Sequence, residues 1–180
     1  MGFLMSKLWN LFGPEEHKVL ILGLNNAGKT TILYKLCLGE VIYTTPTISC
    51  NVEEIVFKNF RFIMWDIGGQ ESLISTWSTY YTDAEFVIVV VDSSDVERLS
   101  TITVELHKLL SDKQLSKVAA VLIYANKQDI EGSRTPYEIM QLLNLTSIKE
   151  LSWRVQGCCA LTGAGLYQGL KWISLIFKTR

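Results

Sequence analysis

The tightest constraint on this chain is Gly23-Leu24-Asn25-Asn26-Ala27-Gly28-Lys29-Thr30, which fits G-x-x-x-x-G-K-[ST]. The glycines let the backbone curl so that successive N–H groups point inward at phosphate oxygens. The positive N-terminal end of a following helix adds to that field. On this reading Gly23, Leu24, Asn25, Asn26, Ala27, Gly28, Lys29, Thr30 and Thr31 cradle phosphate. Lys29 reaches the β- and γ-phosphates, and the Thr30 hydroxyl ligates Mg²⁺. A glycine-rich turn alone would explain the pattern less well, because an apolar strand (Lys18 to Leu24) precedes it and a helix (Lys29 to Leu38, C-capped by Gly39) follows.

Downstream the chain alternates strands with helices. Val52 to Phe57 and Phe60 to Ile67 read as a hairpin around Lys58-Asn59, and Phe86 to Val91 and Val118 to Ala125 read as buried strands. A short last strand lies near Trp153 to Cys158. Ser94-x-x-Glu97 reads as a capping box ahead of Leu99, Ile102, Leu106 and Leu109. Thr135-Pro136-x-Glu138 reads as another, and a final amphipathic helix runs from Leu166 to Phe177. The expected fold is α/β: a P-loop NTPase with a doubly wound, mostly parallel sheet of about six strands, one of them antiparallel, and helices on both faces. Ligands of such a sheet sit at the carboxyl ends of its strands.

Two more motifs fall at such ends. In Trp65-Asp66-Ile67-Gly68-Gly69-Gln70, Asp66 would hold Mg²⁺ through water, the Gly69 N–H would approach a γ-phosphate, and Gln70 would orient an attacking water. In Asn126-Lys127-Gln128-Asp129, the carboxylate can accept from both N1–H and the exocyclic amine of guanine, a donor pair that adenine lacks. Lys127 would lie along the base and Asn126 would tie this loop to the phosphate loop. After the last strand, Cys159 and Ala160 complete the base site, with the Ala160 N–H aimed at guanine O6. The ligand read from these residues is GTP or GDP.

Composition narrows the alternatives. With 17 Lys+Arg against 18 Asp+Glu there is no basic surplus for a nucleic-acid partner. Cys37, Cys50, Cys158 and Cys159 show no metal-ligand spacing with His17 or His107, and they read as reduced thiols. No apolar run reaches the ~18 residues of a membrane span. A nucleotide kinase would need an arginine-rich phosphate clamp, yet Arg occurs only at 61, 98, 134, 154 and 180.

Taken together, Trp65 to Glu71, Asn126 to Asp129 and Gly165-Leu166-Tyr167-Gln168-Gly169-Leu170 resemble the ADP-ribosylation-factor-like GTPases of the Ras superfamily, over essentially the whole chain. The resemblance implies a monomeric switch with exchange factors, GTPase-activating proteins and effector or tethering proteins as partners, acting at the Golgi in vesicle traffic. It implies that Thr47 ligates Mg²⁺ when a γ-phosphate is present, that residues 39–49 and 68–81 are switches I and II, and that Cys50, Trp65 and Tyr80 form an effector surface. Three positions depart from the pattern: Asn25 replaces a usual Asp, Ser49 a usual Gly, and Cys50 an aromatic residue. Asn25 and Ser49 leave a scaffold that binds GTP with negligible hydrolysis as the rival reading.

Residues 1–14 are expected to form an amphipathic helix ahead of a GTPase domain at 15–180. Met1-Gly2-Phe3-Leu4-Met5-Ser6 fits M-G-x-x-x-[ST], which marks Gly2 for myristoylation. One such chain binds membranes with K on the order of 10⁴ M⁻¹, so the apolar face of Leu4, Leu8, Leu11 and Phe12 would supply a second anchor. Switch I contains no Arg, so slow intrinsic hydrolysis and dependence on an activating protein are expected.

Overall fold

A computed structural model describes residues 15–42 and 44–179, so the predicted N-terminal helix and Gly2 lie outside the described residues. Six strands make one sheet in the order β2-β3-β1-β4-β5-β6. They are β1 (Glu15–Leu22), β2 (Cys50–Phe57), β3 (Phe60–Ile67), β4 (Phe86–Asp92), β5 (Ala120–Asn126) and β6 (Ser152–Gly157). Only β2 pairs antiparallel, with β3, and every other pairing is parallel.

The apolar pattern of each strand follows its place in the sheet. All seven residues of β5, and all of β4 except Asp92, are buried because helices cover both faces. At the edge, β2 buries Ile55 while Val52 and Val56 are exposed. On one face α1 (Lys29–Leu38) and α5 (Leu166–Lys178) bring Ile32, Leu33, Leu170 and Ile173 onto Val19, Ile21, Ile88 and Leu122. On the other, α3 (Leu99–Leu110) and α4 (Pro136–Leu142) bring Ile102, Leu106 and Ile139 onto Leu20, Val89 and Ile123. A short α2 (Glu71–Ile74) follows β3.

The first strand begins earlier than its apolar run suggests. His17 is buried with its ring 3.7 Å from that of Phe177, and Nδ1–H donates to Glu85 Oε2 at 2.9 Å, which draws Glu15 to His17 into pairing with β3. The Thr135 capping box is present, with both reciprocal bonds made. The Ser94 box is not. Asp92 Oδ1 takes both the Ser94 N–H (3.0 Å) and its hydroxyl (2.6 Å), so Asp92 closes a turn over Ser94 and α3 starts at Leu99.

Parallel pairing brings the ends of β1, β3, β4, β5 and β6 to one edge of the sheet. Below that edge, α5 lies close on β5 at Gly169, where an added Cβ would meet Tyr124 Oη at 2.3 Å. That hydroxyl is fully buried and donates to Leu166 O at 2.7 Å, so it has no room to retreat. Gly169→Ala should cost about 1–3 kcal/mol of stability, read from urea unfolding; a loss below a few tenths would show that α5 can slide.

Candidate nucleotide site

After Leu22 the chain turns through residues 23–28 into α1. Gly28 holds φ at 96°, and a Cβ there would lie 2.4 Å from Asn126 Nδ2, so the position excludes any larger residue. Lys29 is 6% exposed, and its ammonium donates to Gly23 O (2.9 Å) and Leu24 O (3.0 Å) across the inside of the loop. Burial pushes its pKa down to about 8, against a smaller opposing pull from Asp66. A cavity of about 320 Å³ opens beside it, lined by Asn25, Asn26, Gly28, Lys29, Thr30 and Thr31, by Thr44 to Thr47, and by Gly69 and Gln70. Gly23, Leu24 and Ala27 stand behind this wall, where the first two hold the lysine.

At the cavity's edge three segments meet on one oxygen. Asp66 Oδ2 accepts from Thr30 Oγ1 at 2.6 Å, Thr47 Oγ1 at 3.3 Å and Asn51 Nδ2 at 3.3 Å, with the two threonine hydroxyls 3.1 Å apart. Asp66 is fully buried and its Oδ1 has no partner. Burial raises its pKa, partly offset by Thr30, Lys29, Asn51 and Thr47. One carboxylate with a spare oxygen and two hydroxyls are hard oxygen donors, which fit Mg²⁺ shared with phosphate. Sequence reading missed Asn51. The hairpin register would have found it: Phe57 opposite Phe60, counted back, puts Asn51 opposite Asp66.

Gly69 closes the other wall. A Cβ there would fall 2.2 Å from Gly23 O and 2.4 Å from Lys29 Nζ, and Gly69 O accepts from Asn25 N at 2.7 Å. Gln70, half-buried, precedes α2 and faces the same cavity.

The base end is framed by Asn126, 1% exposed. Its Nδ2 donates to Ala27 O at 2.8 Å, and its Oδ1 accepts from Ala160 N at 3.0 Å. The Ala160 N–H expected at guanine O6 thus lies in this frame, beside the base end. The Cys159 N–H is likewise engaged, by Ala164 O at 3.0 Å. Lys127, at φ 65°, sends Nζ to Asp92 Oδ2 at 2.6 Å, and Ser133 Oγ donates to Lys127 O at 2.8 Å. Burial opposes ionisation of Asp92, yet the bonds from Lys127 and Ser94 hold its carboxyl below the usual range. Asp129 is exposed and makes no ion pair among the described residues.

Trp65 and Tyr80 stand with ring centroids 6.3 Å apart, Lys18 Nζ lies 4.7 Å over Trp65, and Ser49 Oγ lies 3.4 Å from Tyr80 Oη. Cys50, opposite Ile67 at the head of the hairpin, is half-buried beside them.

Two consequences are measurable. Asn126→Ala orphans Ala27 O and Ala160 N and should cost about 2–4 kcal/mol in urea unfolding; a cost below 1 would mean the three loops are held independently. Lys29 is protonated more readily in the unfolded chain, so stability should rise with pH between about 8 and its unfolded value of 10.5. The rise should amount to about 3 kcal/mol and vanish in Lys29→Met. An equal rise in the variant would assign the effect elsewhere.

Comparison with known proteins agrees with this geometry. A sequence profile of the ADP-ribosylation factor family matches residues 4–176. ADP-ribosylation factor-like protein 5A from Bos taurus and from Homo sapiens are each 59% identical over 180 residues, covering all of both chains. ADP-ribosylation factor-like protein 5 from Dictyostelium discoideum is 50% identical, covering 94% of this chain and 93% of its own. Among solved structures, the Arl6 BBS3 small GTPase from Trypanosoma brucei with bound nucleotide analogue GppNp superposes with a TM-score of 0.84 at 29% identity, covering 92% of this chain and 100% of that one. The chain belongs to the ADP-ribosylation factor family and is a small GTPase.

Proposed function

We propose that this chain is a GTP/GDP switch that binds guanine nucleotide with Mg²⁺, hydrolyses GTP slowly and recruits effectors to a membrane in its GTP form. The observation that carries this is the meeting of Thr30, Thr47 and Asn51 on Asp66 Oδ2. It joins the phosphate loop, switch I and the hairpin at the point where a terminal phosphate would lie. Thr30, Thr47 and Asp66 would hold Mg²⁺, which when bound supplies positive charge to the β- and γ-phosphate oxygens. Lys29 and the N–H groups of the loop bind the phosphates, Gln70 orients water, and Asp129 selects guanine.

Slow hydrolysis follows from the arginines. Switch I has none, and Arg98, the nearest to the loop, is engaged by Asp95 and Asn25. An activating protein would supply the missing charge, worth ~10³–10⁵ in rate. On family resemblance, acylated Gly2 and the apolar N-terminal face attach the GTP form to Golgi membrane, and the patch of Cys50, Trp65 and Tyr80 receives effector or tethering proteins. Half-burial of this patch and the lysine over Trp65 suit a partner with an apolar centre and an acidic rim.

Binding of GDP, GTP and ATP with Mg²⁺ tests the base site. Guanine nucleotides should bind at least ~10³-fold more tightly than ATP, and Asp129→Asn should weaken them about 100-fold or more. Equal binding of ATP overturns the reading. Single-turnover hydrolysis by the isolated chain should run on the order of 10⁻³ s⁻¹ or slower. A rate near 1 s⁻¹ would remove the need for an activator.

A further inference from the structure

Asn25 stands between two spaces: it lines the phosphate cavity on one side and a small recess against α3 on the other. In that recess Arg98 Nη1 donates to Asn25 Oδ1 at 2.6 Å and to Asn25 O at 3.2 Å. Asp95 holds the arginine in turn, through its carboxylate and the backbone N–H of Arg98 (3.3 Å). Arginine carries only donors, so the amide atom facing it must be the oxygen. The Nδ2 group is thereby turned away from Arg98, and it makes no hydrogen bond to any described residue.

We propose that Arg98 is a positioning residue for the terminal phosphate: through Asn25 Oδ1 it turns the Asn25 Nδ2 donors into the cavity, toward a γ-phosphate oxygen. This deepens the switch reading above and rests on it. A carboxylate at position 25 would satisfy Arg98 equally well but present its second oxygen, an acceptor, to the phosphate. With asparagine, the same relay of Asp95, Arg98 and residue 25 presents hydrogen to an anion, which raises affinity for GTP relative to GDP. Lys29 and the loop N–H groups serve the phosphates common to both nucleotides, so the effect belongs to the ratio.

The test uses the full chain with Mg²⁺ and displacement of a fluorescent guanine nucleotide by GDP and by GppNp. Arg98→Ala should raise the ratio of GppNp Kd to GDP Kd about tenfold, the size of one hydrogen bond to a charged group. Asn25→Asp, which leaves Arg98 in place, should move the ratio the same way. If Arg98→Ala weakens both nucleotides equally, the arginine only props the loop and the proposal falls. An unchanged ratio in Asn25→Asp also overturns it. Failure of the wild-type chain to bind either nucleotide would instead defeat the switch reading itself.

Discussion

The nucleotide end of this molecule depends on one buried carboxylate oxygen, Asp66 Oδ2. Burying an ionised carboxylate is costly unless donors surround it. Here the donors are shared unevenly: Thr30 bonds at 2.6 Å, Thr47 and Asn51 at 3.3 Å, and Oδ1 has none. Thr30 is fixed by α1 and Asn51 by the hairpin. Thr47 comes from an irregular exposed segment, and its bond to the carboxylate is long. Of the three bonds to this oxygen, the one most easily lost is therefore that of Thr47, from the expected switch I. A cation that satisfied Oδ1 and both hydroxyls would strengthen that contact more than any other.

The base end is built differently. Asn126 bonds at 2.8 and 3.0 Å to the phosphate loop and to the loop after β6, and Gly28 leaves room for it with no space to spare. Its two short bonds there go to protein backbone and the Cys158 thiol adds a longer one to Oδ1 at 3.6 Å, so the frame is complete without ligand. On the proposed reading, the half framed by Asn126 would select the base and the half that depends on Thr47 would sense the phosphate. A switch needs both, because affinity that did not depend on a movable segment would report nothing about the nucleotide's state.

How much of this could be read from residues alone follows the range of each interaction. The buried strands were legible because two covered faces demand continuous apolar runs, and the phosphate loop because its glycines answer local backbone needs. The hairpin fixed its own register, which already contained the Asn51–Asp66 contact. Ser94 misled because a carboxylate two residues away outcompetes the helix end for its hydroxyl, a contest that spacing does not reveal. The bond from the Ala160 N–H to Asn126 Oδ1 joins residues distant in sequence, and spacing does not reveal it either. Arg98 meets Asn25 across a separation of 73 residues, and nothing local to either announces it.

Charge pairing separates residues that position from residues that bind. Around the pocket Lys127 is held by Asp92 at 2.6 Å and Arg98 by Asp95, each an aspartate at or just beyond the end of β4. Paired charges in fixed geometry cost little to keep and change little when ligand arrives, so they orient the base loop and Asn25. Besides Asp66, whose donors are all neutral, two charges at the pocket lack such partners among the described residues. Lys29 bonds only to carbonyls, with its pKa pulled down by burial, and Asp129 stands exposed. An anion beside Lys29 relieves the cost of its charge, and adjacent N–H donors give Asp129 the partners it lacks. On the proposed reading, guanine joined to phosphates would supply both at once, so these two charges, more than any paired one, would define the ligand.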